Sequence, residues 1–380
     1  MRLLSTLLLL LCFQFGFGQQ PTPILSNKAE ISVLTCSPGN QLYSLFGHSA
    51  IRVIDPINKI DAVFNYGTFS FNEGFYFNFA MGRLNYKLSV SPMSGFMREY
   101  QYENRGVTEQ ILDLDSAQKQ NLLNFLDWNR QPENRVYLYD FFYNNCSSII
   151  RDVLDTALTT EISFEDLNYA SSPSYRNMID SYLIYHPWGD FGIDLGLGTP
   201  CDKIPSAQEY LFLPDELDRA FDHAQIEGRP IVKEERILLT TDGLTFTWSF
   251  TQPVPLFWIL FGIIAVLSLW GLRKGKRMMF LDVIIFCAYG AVGALLFFLW
   301  FITIHTATAN NLNMLWAWPI HILAIPFLWI ERIRKPYFMA YGIVLLLTLL
   351  SFPILPQMLH MAIIPIVLIG LIRSWVNWKL

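Results

Sequence analysis

The sequence predicts an α+β domain held outside the cytoplasm, followed by an α-helical membrane bundle of about five spans. Three observations carry this: an apolar leader, a polar–apolar mixture lasting to about Thr251, and a collapse of charge density into long hydrophobic runs thereafter. The expected division is a signal peptide over 1–18, an exported domain over 19–251 and a membrane domain over 252–380.

The leader opens with Arg2, continues as an apolar run from Leu3 to Phe17 and ends in Gly16-Phe17-Gly18, the pattern of a secretory signal cut after Gly18. Cys12 follows Leu11, where a lipid-modified precursor needs a small residue, so it belongs to the apolar stretch.

Within the exported domain nothing repeats. Strands are expected over Ile31–Thr35 and Ala50–Ile54 around the turn Ser37-Pro38-Gly39-Asn40, and a third over Ala62–Phe71 after Asp55-Pro56-Ile57-Asn58-Lys59. A short aromatic helix over Phe75–Met81, a strand over Leu84–Val90, a helix over Phe96–Tyr102 and a strand over Val107–Leu114 come next. Asp115-Ser116 opens a helix with Leu122, Leu123 and Leu126 on one face. An aromatic strand, Val136–Phe142, then runs into Asn144-Asn145-Cys146, after which Ile149, Ile150, Val153, Leu154 and Ala157 recur at helical spacing.

The spans are expected over Val254–Leu272, Phe280–Ile304, Met314–Ile330, Tyr337–Phe352 and Leu359–Ile372. Arg273-Lys274-Gly275-Lys276-Arg277, the group Arg332, Arg334 and Lys335, and the tail from Arg373 to Lys379 are basic, whereas the intervening connections carry no Lys or Arg. Positive residues stay inside, so the large domain lies outside the cytoplasm, as a periplasmic or cell-surface domain, and the C-terminus faces the cytoplasm. A net charge of −5, with basic clusters only at membrane borders, argues against nucleic acid as a partner.

Cys146 and His48 are the candidate chemical pair. Cys146 falls in the first turn of its helix, where unpaired amides and the helix dipole favour a thiolate, and Asn144 or Asn145 suits the N-cap. His48, after Gly47 at the entrance of a strand, is the candidate base, and Asn65 on the neighbouring strand is the candidate third group that fixes its tautomer. Taken alone, the cysteine reads as a buried thiol and the histidine as a satisfied turn residue; together they define a site.

Cys36, Cys146 and Cys201 make an odd number in an oxidising compartment, so one thiol stays free; a Cys36–Cys201 bridge with Cys146 free fits. Tyr143 is a candidate oxyanion donor or a strand-ending aromatic, and Arg52 and Arg105 are phosphate ligands or ion-pair partners. His186 lies in a Gly-rich loop without metal-ligand spacing, and His305, His321 and His360 fall at membrane borders. No cofactor or metal is expected.

The segments Leu34-Thr35-Cys36-Ser37-Pro38-Gly39, Leu42 to Val53, Phe64-Asn65-Tyr66-Gly67-Thr68-Phe69 and Tyr139 to Ser148 resemble the Lnb-type lipoprotein N-acyltransferases of Bacteroidota. That resemblance implies a circularly permuted relative of the NlpC/P60 and papain-like thiol fold, with His48 as base and Cys146 as nucleophile. It implies acyl transfer from a phospholipid donor in the membrane, through a Cys146 thioester, to the N-terminal amine of a diacylated lipoprotein acceptor. Two other functions fit the same residues: a membrane-tethered cysteine peptidase or amidase, and a non-enzymatic lipid- or partner-binding module in which Cys146 is structural.

Overall fold

A computed structural model describes residues 22–70, 73–158, 160–164 and 172–380 of the chain, so the expected leader and Cys12 lie outside the described residues. Strands β1 (Glu30–Cys36), β2 (His48–Asp55) and β3 (Ile60–Thr68) form an antiparallel meander. Their side chains alternate: Ile31, Val33, Ile51, Val53, Phe64 and Tyr66 enter one core, while Leu34, Cys36, Ala50 and Val63 enter another on the opposite face. Asp55 closes the β2–β3 turn by accepting the backbone N–H groups of Ile57 and Asn58.

Next come α1 (Phe75–Met81), β4 (Asn85–Pro92), α2 (Met93–Tyr102), β5 (Val107–Leu112), α3 (Ser116–Asn129), β6 (Val136–Leu138) and α4 (Cys146–Leu158). α3 begins where its cap dictates: the Asp115 carboxylate accepts the N–H of Gln118 at 2.8 Å and the Gln118 side chain accepts that of Asp115 at 3.0 Å. The chain continues through β7 (Ile162–Ser163), α5 (Tyr175–Leu183), α6 (Pro187–Gly196), α7 (Pro214–Phe221), β8 (Gln225–Ile226), β9 (Arg229–Pro230) and β10 (Val232–Leu239). The large sheet runs β10-β5-β1-β2-β3-β4-β6 with every pair antiparallel, and β7, β8 and β9 form a small second sheet. Leucines of α3, the apolar face of α4 and Leu217 and Phe221 of α7 pack on one face of the large sheet; Met93 and Phe96 of α2 pack on the other.

The exported domain departs from the sequence expectation in several places, among them the Gly-rich loop expected at His186, which is the helix α6 with His186 at its N-cap. β10 is an edge strand whose Lys233, Glu234, Glu235 and Arg236 conceal it in a polar stretch. β6 stops at Leu138 because the Asp140 carboxylate takes the N–H groups of Phe142 and Tyr143, at 2.9 and 3.0 Å, and folds the chain into a turn.

The membrane region comprises α8 (Pro253–Arg273), α9 (Met279–Phe301), α10 (Ile320–Ala324), α11 (Glu331–Ser351) and α12 (Ile363–Lys379). Among the described residues, three helices are long and apolar enough to cross a membrane: Pro253–Arg273, Met279–Phe301 and Glu331–Ile354. The stretch expected as a third span, Met314–Ile330, is built of three short helical pieces, Leu312–Leu315, Ile320–Ala324 and Ile325–Phe327, with Pro319 just before the second and Pro326 inside the third. α12, 17 residues long, packs against α11 and α8, and its buried Arg373 holds Asp282 of α9 at 2.7 Å and Ser268 of α8 at 3.0 Å.

Two contacts seat the sheet domain on this bundle. Beyond α9, the N–H of Ile304 bonds the carbonyl of Met81 at 3.1 Å, and His305 Nε2 lies 3.0 Å from the carbonyl of Phe79, so α1 abuts a spanning helix. At the second contact, buried Asn311 donates to the carbonyls of Leu195 and Gly196, Gln357 donates to that of Leu197, and Phe191 and Leu195 of α6 pack into the membrane core.

Candidate active site

Asn145 builds the first turn of α4. Its Oδ1 accepts the N–H groups of Ser147 and Ser148, each at 2.9 Å, while its own N–H donates to Ser148 Oγ at 2.9 Å. The side-chain amide of Asn145 also donates to the carbonyls of Phe141 and Phe212, each at 2.7 Å, so a buried residue with every contact used fixes where Cys146 stands. Ser147 Oγ lies 3.0 Å from Ser49 Oγ, which pins the start of α4 to the residue after His48.

The β2–β3 register, with Ile51 opposite Phe64, brings His48 and Asn65 to the same end of the two strands. His48 Nε2 lies 2.7 Å from Asn65 Oδ1, and the imidazole stands close enough to the Cys146 thiol for the charge of each to act on the other. All three side chains are half-buried. With Nε2 donating to the amide oxygen, the neutral ring keeps its lone pair on Nδ1, ready to take the thiol proton.

Electrostatics favour the charged pair. Burial raises the Cys146 pKa, but the His48 charge, its hydrogen bond and donors from the Ser49 N–H and the Ser147 hydroxyl outweigh it, leaving the thiol below its ordinary value. Burial lowers the His48 pKa, but the Cys146 thiolate and the bonds to Cys146 and Asn65 raise it above the ordinary value. The arrangement suits a nucleophilic sulfur paired with a proton carrier.

Two glycines make room for it. Gly47, with φ of +79°, lies so close to β1 that a Cβ would stand 2.7 Å from the carbonyl oxygen of Cys36. Gly67, with φ of +94°, faces both reactive groups: a Cβ there would lie 3.7 Å from His48 Cε1 and 3.9 Å from the Cβ of Cys146. Gly67 sits where the β3–β4 ladder shifts register between Asn65 and Thr68, a bulge beside the site. Sequence reasoning passed over Gly67; a lone glycine inside a strand pattern was its signal.

The other candidates fall elsewhere. Tyr143 is half-exposed with its ring 6.0 Å from that of Tyr175, on the α5 side. Arg52 is held by Asp61 at 2.8 Å and Glu109 at 2.9 Å, and buried Arg105 by Glu103 at 2.9 Å, with its guanidinium over the Tyr100 ring. His305 bonds the α1 backbone as described, His321 bonds Tyr337, and His360 lies 3.4 Å from Asp190. The expected Cys36–Cys201 bridge is absent: both are free, buried thiols in separate clusters, Cys36 opposite His48 in β1 and Cys201 against the carbonyl of Ala307.

Among the described residues one cluster has metal-ligand spacing, the carboxylates of Asp180, Asp190 and Asp194, whose ligand atoms lie within 4.8 Å of one another. Buried Arg176 pairs with Asp194 at 2.5 Å, and burial together with Asp194 and Asp190 pushes the Asp180 carboxyl up to about 8.

Fold and site together define a membrane-anchored protein whose sheet domain presents a paired thiol and imidazole. The chain matches two family models, the Lnb N-terminal periplasmic domain over residues 24–181 and the Lnb transmembrane domain over residues 245–380. Between them these matches cover most of the chain, which belongs to the Lnb family and carries its sheet domain in the periplasm. No curated protein and no solved structure matches it.

Proposed function

We propose that this protein is a thiol-dependent lipoprotein N-acyltransferase of the bacterial inner membrane. The observation that carries the reading is Cys146 in the first turn of a capped helix, its thiolate favoured by the neighbouring His48, on a domain seated directly on membrane helices. Lipid substrates require that seating; a soluble substrate does not. On this reading, residues 19–251 form a permuted papain-like or NlpC/P60-like domain with the histidine first, and residues 252–380 cross the membrane five times.

In the first half-reaction, Cys146 Sγ attacks an ester carbonyl of a phospholipid, the acyl–oxygen bond breaks, and His48 passes its proton to the departing lysophospholipid oxygen. In the second, the α-amine of a diacylglyceryl-cysteine attacks the thioester and His48 takes the amine proton. An amide forms and the sulfur is released. Asn65 holds the imidazole throughout.

Incubation with phospholipid alone tests this, because the first step needs no acceptor. An acyl group should accumulate on Cys146, visible by intact mass and cleaved by neutral hydroxylamine. Failure to form it, while added lipoprotein is still N-acylated, would replace the thioester by direct transfer. Failure of both removes the acyltransferase reading and favours a membrane-tethered peptidase or amidase.

A further inference from the structure

Between α1 and β4 lies a cavity of about 220 Å³ whose lining includes Phe69, Phe75, Asn78, Arg83, Tyr86 and Lys87. Its lining combines three aromatic rings with two basic side chains. Neither Arg83 nor Lys87 forms an ion pair with a described residue. Two cations left without carboxylates beside a partly apolar cavity suit an anion attached to a hydrophobic body.

The surroundings say which body. α1 carries no charged residue, and Tyr76, Phe77 and Phe79 are 76%, 64% and 48% exposed. Its C-terminal end is hydrogen-bonded to Ile304 and His305, just past the end of the spanning helix α9, where Trp300 and exposed Phe301 fall. A short uncharged aromatic helix at that depth lies where the acyl chains of the outer leaflet begin.

From α1 a run of ring contacts leads inward: Phe79 to Phe75 at 6.1 Å, Phe75 to Phe69 at 5.5 Å, Phe69 to Tyr86 at 5.0 Å and Tyr86 to Tyr139 at 4.4 Å. Thr68 also lines the cavity, one residue from the Gly67 that faces His48 and Cys146.

We infer that this cavity is a phospholipid-binding subsite, in which Arg83 and Lys87 hold the headgroup phosphate while the α1 rings lie among the acyl chains of the outer leaflet. Its role as the donor site rests on the acyl-transfer reading above; its occupancy by lipid does not.

The test uses the full chain as Cys146→Ala, so that binding is read without turnover, in nanodiscs of phosphatidylethanolamine and phosphatidylglycerol in phosphate buffer. The photo-crosslinking residue p-benzoylphenylalanine replaces, in separate proteins, Phe77 on α1, Asn85 at the cavity, or Ile57 in the β2–β3 turn, at the opposite end of those strands from the site. Illumination and intact-mass analysis should find phospholipid adducts at positions 77 and 85 and none at 57. Adding Arg83→Glu and Lys87→Glu should cut the adduct at 85 about tenfold, by reversing the charge that holds the phosphate, and leave that at 77 unchanged, which also shows that the variant is folded and embedded. No lipid adduct at 85, or one that survives the charge reversal, overturns the subsite. Absence of adduct at 77 overturns the embedding of α1.

Discussion

His48 Nε2 and Asn65 Oδ1 stand 2.7 Å apart on neighbouring strands, an amide rather than a carboxylate behind the imidazole. An amide oxygen orients the ring and steadies its protonated form without adding charge. Asn65→Ala removes a hydrogen bond to a group that becomes charged, a loss of about 1.5–3 kcal/mol, or roughly 10- to 100-fold in turnover. Asn65→Asp keeps the acceptor and should restore most of the rate. Equal activity in wild type and Asn65→Ala would remove Asn65 from the site.

The thiol's reactivity gives a second prediction. Burial alone raises the Cys146 pKa, and His48 is the source of the largest opposing effects. His48→Ala therefore leaves burial dominant, and the midpoint of Cys146 alkylation by iodoacetamide should move to higher pH, past that of an ordinary thiol. Site-resolved mass spectrometry follows Cys146 separately from Cys36 and Cys201, which burial pushes up to about 12 and which should stay unmodified at neutral pH. An unchanged midpoint in His48→Ala would deny the pairing.

Gly67→Ala isolates the backbone beside the site. The new Cβ meets His48 and Cys146 only at ordinary contact distance, so the cost lies in φ of +94°, about 1–2 kcal/mol for a residue with a side chain. Relief of that strain must move the bulge that carries Asn65, so activity should fall further than the lost stability explains. Thermal unfolding and turnover measured on the same preparation decide it; parallel losses would make Gly67 merely structural.

Legibility in the sequence followed the strength of local signals. The β1–β2–β3 meander shows as clean alternation with Pro and Gly turns, and α3 announces its first residue through Asp115 and Gln118. β10 does not show, because an edge strand facing solvent buries too little to leave an apolar period. Hydrophobicity alone marked Met314–Ile330 as a span, yet it is built of short helical pieces, with Pro319 just before one and Pro326 inside the next. Residue types and order singled out Cys146, His48 and Asn65, which the fold brings together, whereas Gly67 enters through a register shift that no single-strand pattern encodes. The Cys36–Cys201 bridge failed because counting thiols says nothing of distance.

Arg176 supplies the last prediction. It is fully buried, its guanidinium contacts Asp194 at 2.5 Å and Asp202 at 3.0 Å, and it donates to the carbonyls of Leu197 and Gly198. Asp202 in turn accepts the N–H of Met358, so this group ties α5 and α6 to the membrane region. Arg176→Met keeps the bulk but leaves two carboxylates without their counter-charge, at a cost of about 3–5 kcal/mol. The pH dependence has a definite sign: burial already holds the Asp194 pKa above its unfolded value despite Arg176, and loss of the guanidinium raises it further. Protonation then favours the folded state, so the variant should regain stability as pH falls through that raised pKa and lose it as pH rises. Thermal unfolding in detergent across pH measures both effects, and Asp194→Asn with Asp202→Asn in the same chain should recover much of the loss. A variant as stable as wild type at neutral pH would show that this buried triad does not hold the two regions together.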